Sequence, residues 1–96
     1  LDDCFTGPGA PGGNATVVLT DPAADYAVTV RAPAPPVRAF QVYAPVNEAF
    51  VVIEPQTNLA DPYGEQWPPN LDTGMARIAP GTTFVYRADV RAGRAT

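Results

Sequence analysis

Polar and apolar residues alternate along most of this chain with a period of two, the repeat of a strand with one face buried. The clearest stretch runs from Thr82 to Arg91. Phe84, Tyr86, Ala88 and Val90 fall on one side, and Thr83, Arg87, Asp89 and Arg91 on the other, with Val85 out of step. That pattern predicts a half-buried antiparallel strand. Tyr26 to Arg31 alternates in the same way, with Tyr26, Val28 and Val30 on one side. Ala15 to Thr20 is a short β-branched run, and Arg38 to Ala44 and Ala49 to Ile53 are two further strand segments. Met75 to Ile78 is a short sixth candidate. No segment carries an apolar stripe at helical spacing.

Turn-forming residues separate these runs. Gly7-Pro8-Gly9 and Pro11-Gly12-Gly13 precede the first, Asp21-Pro22 follows it, Pro33 to Pro36 closes the second, and Pro80-Gly81 opens the last. Five or six short strands with frequent turns predict an all-β fold, an antiparallel β-sandwich. One segment departs from a plain sandwich. Pro55 to Gly74 has little periodicity and four prolines, and loops of this length in compact domains usually carry function or are disordered. Tyr63 and Trp67 lie within it and argue against simple disorder.

Composition narrows the picture. The 96 residues suffice for a single domain with a thin core. At 46% hydrophobic and 17% charged, the chain is too apolar for intrinsic disorder. It has no lysine, its six basic residues are arginines, and its net charge is −4. An acidic chain without a basic cluster argues against partners such as nucleic acid or an anionic membrane. Cys4 is the lone cysteine and histidine is absent, which removes an intrachain disulfide and the usual zinc ligands and general acids. No apolar run reaches transmembrane length and no signal peptide is present, so a cytoplasmic protein is expected. The first residue is Leu1 rather than methionine, so the chain is expected to be either a single domain or a fragment of a longer protein.

Three polar features interrupt the pattern. The apolar run Ala49-Phe50-Val51-Val52-Ile53 ends in Glu54, which alternation puts on the side of Phe50 and Val52. Partial burial of a carboxylate there would favour its protonated form and suit a general base. Pattern alone favours a plainer place, an exposed acid at a strand end that Pro55 terminates. Gln41 interrupts Phe40 and Val42 in the preceding strand; it is either a buried amide that needs partners or part of a solvated face. Asp2-Asp3, beside Cys4-Phe5, is by composition a solvated acidic pair.

These residues also lie in motifs. Phe50-Val51-Val52-Ile53-Glu54-Pro55-Gln56-Thr57, with Asp61 beyond, resembles the signature of the aldose 1-epimerase (galactose mutarotase) family. In that family an apolar strand runs into a glutamate, then a glutamine two residues on, then an aspartate in a proline-containing loop. Leu1-Asp2-Asp3-Cys4-Phe5, Phe40-Gln41-Val42-Tyr43 and Ile78-Ala79-Pro80-Gly81-Thr82 are similar to three further segments of the family, in the same order. The resemblance implies a galactose mutarotase-like supersandwich, of which residues 1–96 would form the C-terminal third. It further implies that Glu54 is the catalytic base and that Asp2 and Gln41 bind sugar hydroxyls.

The implied reaction interconverts the α and β anomers of a free aldose. A base takes the anomeric hydroxyl proton, an acid protonates the ring oxygen, and the opened chain closes from the other side. It needs no metal or organic cofactor. The family's acid is a histidine from an earlier part of a longer chain, and this chain contains none. By itself the chain is therefore expected to be inactive and to need the missing N-terminal part or a partner chain. Two alternatives stay open: a non-catalytic carbohydrate-binding module, and a structural β domain that pairs with another chain through its sheet edges.

Overall fold

The computed structural model describes residues 1–7 and 13–96; most of the Gly7–Gly13 turn signals lie outside the described residues. Six strands form two antiparallel sheets, and no helix is present among the described residues. They are β1 (Asp2–Thr6), β2 (Gly13–Asp21), β3 (Tyr26–Ala34), β4 (Ala39–Tyr43), β5 (Val52–Gln56) and β6 (Asp89–Gly93). One sheet has the order β1-β4-β5 and the other β2-β3-β6. The expected all-β sandwich is what the chain forms.

The inner faces follow from alternation. Ala15 and Val17 of β2 and Val28, Val30, Ala32 and Ala34 of β3 meet Phe40 of β4 and Ile53 of β5. Val37 closes the same cluster from the connection between the sheets, where its N–H donates to the Pro33 carbonyl at 3.0 Å. Burial is concentrated on the two middle strands, β3 and β4, because each has a neighbour on both sides and a sheet opposite. The outer strands are poorly covered. Phe5 of β1 pairs with Phe40 and Val90 of β6 pairs with Val30, yet both stay largely exposed.

Four sequence expectations need correction. The strand expected over Thr82–Arg91 is ladder-paired only from Asp89, and extends to Gly93. Residues 82–88 instead run past the edge of β5, where the Tyr86 hydroxyl donates to the Pro55 carbonyl; the chain then crosses to β3. Phe84, Tyr86 and Val90 are exposed rather than half-buried, because alternation supplies a face but no sheet to cover it. The strand expected over Ala49–Ile53 lies three residues later. Pro55 does not end it, because β5 is an edge strand and a proline at an edge sacrifices no ladder donor. Met75–Ile78 forms no strand. Asp2–Thr6, given no strand from its pattern, pairs with β4 along its full length. No helix of the described residues is long and apolar enough to cross a membrane.

The β2–β3 turn holds the end of the chain. The Asp21 carboxylate accepts the amides of Ala23 and Ala24, and Asp25 sits at φ 50°, a conformation tolerated best by short polar side chains. The Asp25 carboxylate accepts from the Thr96 hydroxyl at 2.8 Å, the Thr96 amide at 3.1 Å and Arg94 Nε at 2.7 Å. The Thr96 hydroxyl bond and then the Arg94 guanidinium hold its carboxyl below the ordinary carboxylate range. A depressed folded-state value stabilises the fold above the unfolded value, and that contribution disappears as pH falls through the folded one. The latch should therefore be intact above the ordinary aspartate range and progressively lost as pH falls below it. Protection of the amides at residues 89–96, relative to their intrinsic exchange rate at each pH, is expected to fall in acid more than that at β4. Asp25→Asn should show the reduced protection already at neutral pH, and no difference between the two proteins would refute the latch.

Candidate functional site

The site is built from the outer face of the β1-β4-β5 sheet. In this sheet Phe40, Val42 and Ile53 point with Phe5 toward the other sheet, so the alternate residues point away. The register then fixes three cross-strand rows. Asp2, Tyr43 and Val52 form the first, Cys4, Gln41 and Glu54 the second, and Thr6, Ala39 and Gln56 the third. Residues directly opposite one another in such rows have Cβ atoms about 4.5–5.5 Å apart.

All three residues that the sequence nominates therefore share one face. Gln41 is central and half-buried, with Glu54 directly beside it and Asp2 on the diagonal. The Gln41 amide donates to Asp2 Oδ1 at 2.6 Å. This fixes which end of the amide faces Asp2 and leaves its oxygen free to accept. Glu54 is exposed. Partial burial does not occur, since β5 is an edge strand and none of the described residues stands over the carboxylate. Its contact with its own chain is a long one, from Gln56 Nε2 at 3.5 Å.

The structure adds residues that the sequence reading did not place in the site. Gln56 lies two positions from Glu54 on the same face, and its Oε1 is buried without a hydrogen-bond partner. An unpaired buried acceptor calls for a donor such as a hydroxyl or a water. Period-two spacing from Glu54 would have found it. Tyr43 and Phe50 approach edge to face with ring centroids 6.3 Å apart and planes at 61°. Spacing identifies Tyr43, two residues from Gln41, as a neighbour, but Phe50 reaches it only through the fold of the β4–β5 connection.

The long loop after β5 borders the opposite end of this face. It is ordered by its own contacts: Trp67 Nε1 donates to the carbonyls of Ala60 and Asp61, and the Leu59 amide donates to the Thr73 carbonyl at 2.8 Å. An Arg38–Asp72 ion pair of 3.2 Å ties it to the start of β4. Gly74 closes it at φ 86°, where a Cβ would stand 2.3 Å from the Thr57 carbonyl oxygen, so only glycine fits. Ala39, next to Arg38, is fully buried outside the inter-sheet core, which places the loop's cover over the third row. Trp67 thus braces its own loop, and Tyr63 is exposed.

A separate open depression of about 360 Å³ lies on the other sheet beside Asn14, Arg31, Arg87 and Asp89. None of the nominated residues lines it. Its Asp89 is already engaged by Arg91 at 3.1 Å, and it brings no acid and base together. The polar face of β1-β4-β5 is the better candidate because it converges two carboxylates, two amides and two aromatic rings. The chain finds no match among protein-family models, characterised proteins or solved structures.

Proposed function

We propose that this chain is the sugar-contacting, base-carrying part of an aldose 1-epimerase-like isomerase. The observation that carries the reading is positional. Asp2, Gln41 and Glu54 are 39 and 13 residues apart in order along the chain, yet they occupy adjacent sites on one sheet face with the Gln41–Asp2 bond already made. Glu54 acts as the base on the anomeric hydroxyl. Asp2 accepts from sugar hydroxyls, and Gln41 both donates and accepts, so the ring is held in register while it opens. The acid that protonates the ring oxygen comes from outside these 96 residues, as part of a complete supersandwich.

A second reading is favoured by the exposure of Glu54 and the absence of histidine. The same face would bind a sugar without opening it. The two readings share the binding step and differ in turnover.

Cys4 provides a reporter for that step. It is a free, half-buried thiol in the same row as Gln41 and Glu54. D-glucose or D-galactose at about ten times its dissociation constant is expected to slow Cys4 alkylation by iodoacetamide roughly tenfold, by simple occupancy. Gln41→Ala should remove the protection. Alkylation of the native protein at an unchanged rate in molar sugar would overturn both readings.

A further inference from the structure

We propose that Tyr43 and Phe50 form the apolar wall of a closed-ring hexose subsite, taking the C–H face of a pyranose while Asp2, Gln41 and Glu54 take its hydroxyls. This rests on the sugar-binding reading above and adds what that reading leaves out, a surface that recognises the ring itself.

Tyr43 occupies the middle strand in the row of Asp2 and Val52, one row from Gln41 and Glu54, so its ring stands on the polar face. Phe50 is outside β5, yet the connection after β4 returns it against Tyr43 in an edge-to-face contact. Tyr43 and Phe50 are 39% and 52% exposed as residues. Two aromatic side chains that hold each other in place, remain wet, and border a carboxylate–amide pair match the needs of a pyranose. In glucopyranose most hydroxyls are equatorial and the ring C–H bonds point along the ring normal, and galactopyranose keeps a C–H face on the side opposite its axial 4-hydroxyl. A π face attracts polarised C–H groups and excludes water from them. The amide and carboxylates beside it meet the hydroxyls edge-on. An acyclic polyol presents no such flat C–H face, so the wall discriminates ring from open chain.

The test uses saturation-transfer NMR on the native protein, with irradiation of the aromatic resonances and D-glucose, D-galactose and D-glucitol as probes. Saturation is expected on the ring C–H protons of the two hexoses and not on glucitol. Tyr43→Ala is expected to weaken hexose binding about two- to tenfold, and Tyr43→Phe to retain it, since the ring and not the hydroxyl does the work. Tyr43 is partly exposed and its removal leaves the inter-sheet core untouched, so the fold serves as its own control by amide spectra. If Tyr43→Ala binds hexose like the parent while Gln41→Ala does not, the wall is wrong and the polar site stands. Hexose and glucitol binding equally, or Tyr43→Ala altering self-association alone, would equally overturn it. If no protein binds any of the three, the wall and the sugar-binding reading fall together.

Discussion

Phe40→Ala is expected to unfold this domain at room temperature. Phe40 is the one large side chain fully buried among the described residues. It sits at the centre of a cluster whose other buried members, Ala15, Val30, Ala32 and Val37, are small or medium-sized. Truncating a buried phenylalanine costs about 3–5 kcal/mol through lost transfer energy and an unfilled cavity. Whole domains are stable by only about 5–15 kcal/mol, and small ones lie at the low end. A core made mostly of alanine and valine cannot collapse far enough to refill the space. Urea titration followed by Trp67 fluorescence should show a cooperative transition for the parent and none, or one displaced close to zero denaturant, for the variant. Phe5→Ala, on the same inner face but half exposed at the edge strand, should cost far less. Equal losses at the two positions would contradict the packing described here.

The second large effect is chemical. If the proposed epimerase role holds, Glu54→Gln in the complete protein should reduce the rate of mutarotation roughly a hundred- to ten-thousand-fold, the usual contribution of a positioned general base. Glutamine keeps the size of the side chain and can still hydrogen-bond to a sugar hydroxyl, but it cannot take the proton. Because Glu54 is exposed on an outer face, the change leaves the core alone, and the urea transition should stay where it is. Polarimetry of freshly dissolved α-D-glucose or α-D-galactose gives the rate directly, and the spontaneous reaction sets the floor. The 96-residue chain should not rise above that floor with either residue at position 54. A Glu54→Gln protein that retains full turnover would remove the base from Glu54, and turnover by the short chain alone would show that no outside acid is needed. Full sugar binding by the complete protein with no turnover would favour the binding module.

Alternation located the strands wherever a strand has a partner on each side. Tyr26–Ala34 and Ala39–Tyr43 are the two middle strands, and there Val28, Val30, Ala32 and Phe40 turn inward at a period of two, although Ala39 on the opposite face is buried as well. The failures lie at the edges. Residues 82–88 alternate as well as any in the chain, yet no strand pairs with them; the Tyr86–Pro55 bond satisfies one edge carbonyl without making a ladder. Asp2–Thr6 carries two aspartates and a threonine, too polar to signal a strand, yet β4 offers it a free edge along five residues. Glu54, expected at the end of a strand, lies within the edge strand β5. The apolar run before it belongs in part to the connection that carries Phe50.

Sequence alone determined the all-β class, the inward side of β3 that carries Val28 and Val30, and the identity of the three polar residues that break the pattern. These are local properties: each depends on the period of the chain and on which residue types tolerate burial. Tertiary structure decided which strands are central, that Gln41 donates to Asp2, that Gln56 shares the face of Glu54 with an unmet acceptor, and that Phe50 turns back onto Tyr43. Each of these depends on a register or a chain reversal between residues far apart in sequence. A one-residue slip in either ladder would send Asp2 or Glu54 to the opposite face. It is the burial of Phe40 and the partial burial of Ile53 on the inner side that forbid the slip and so hold the polar face together.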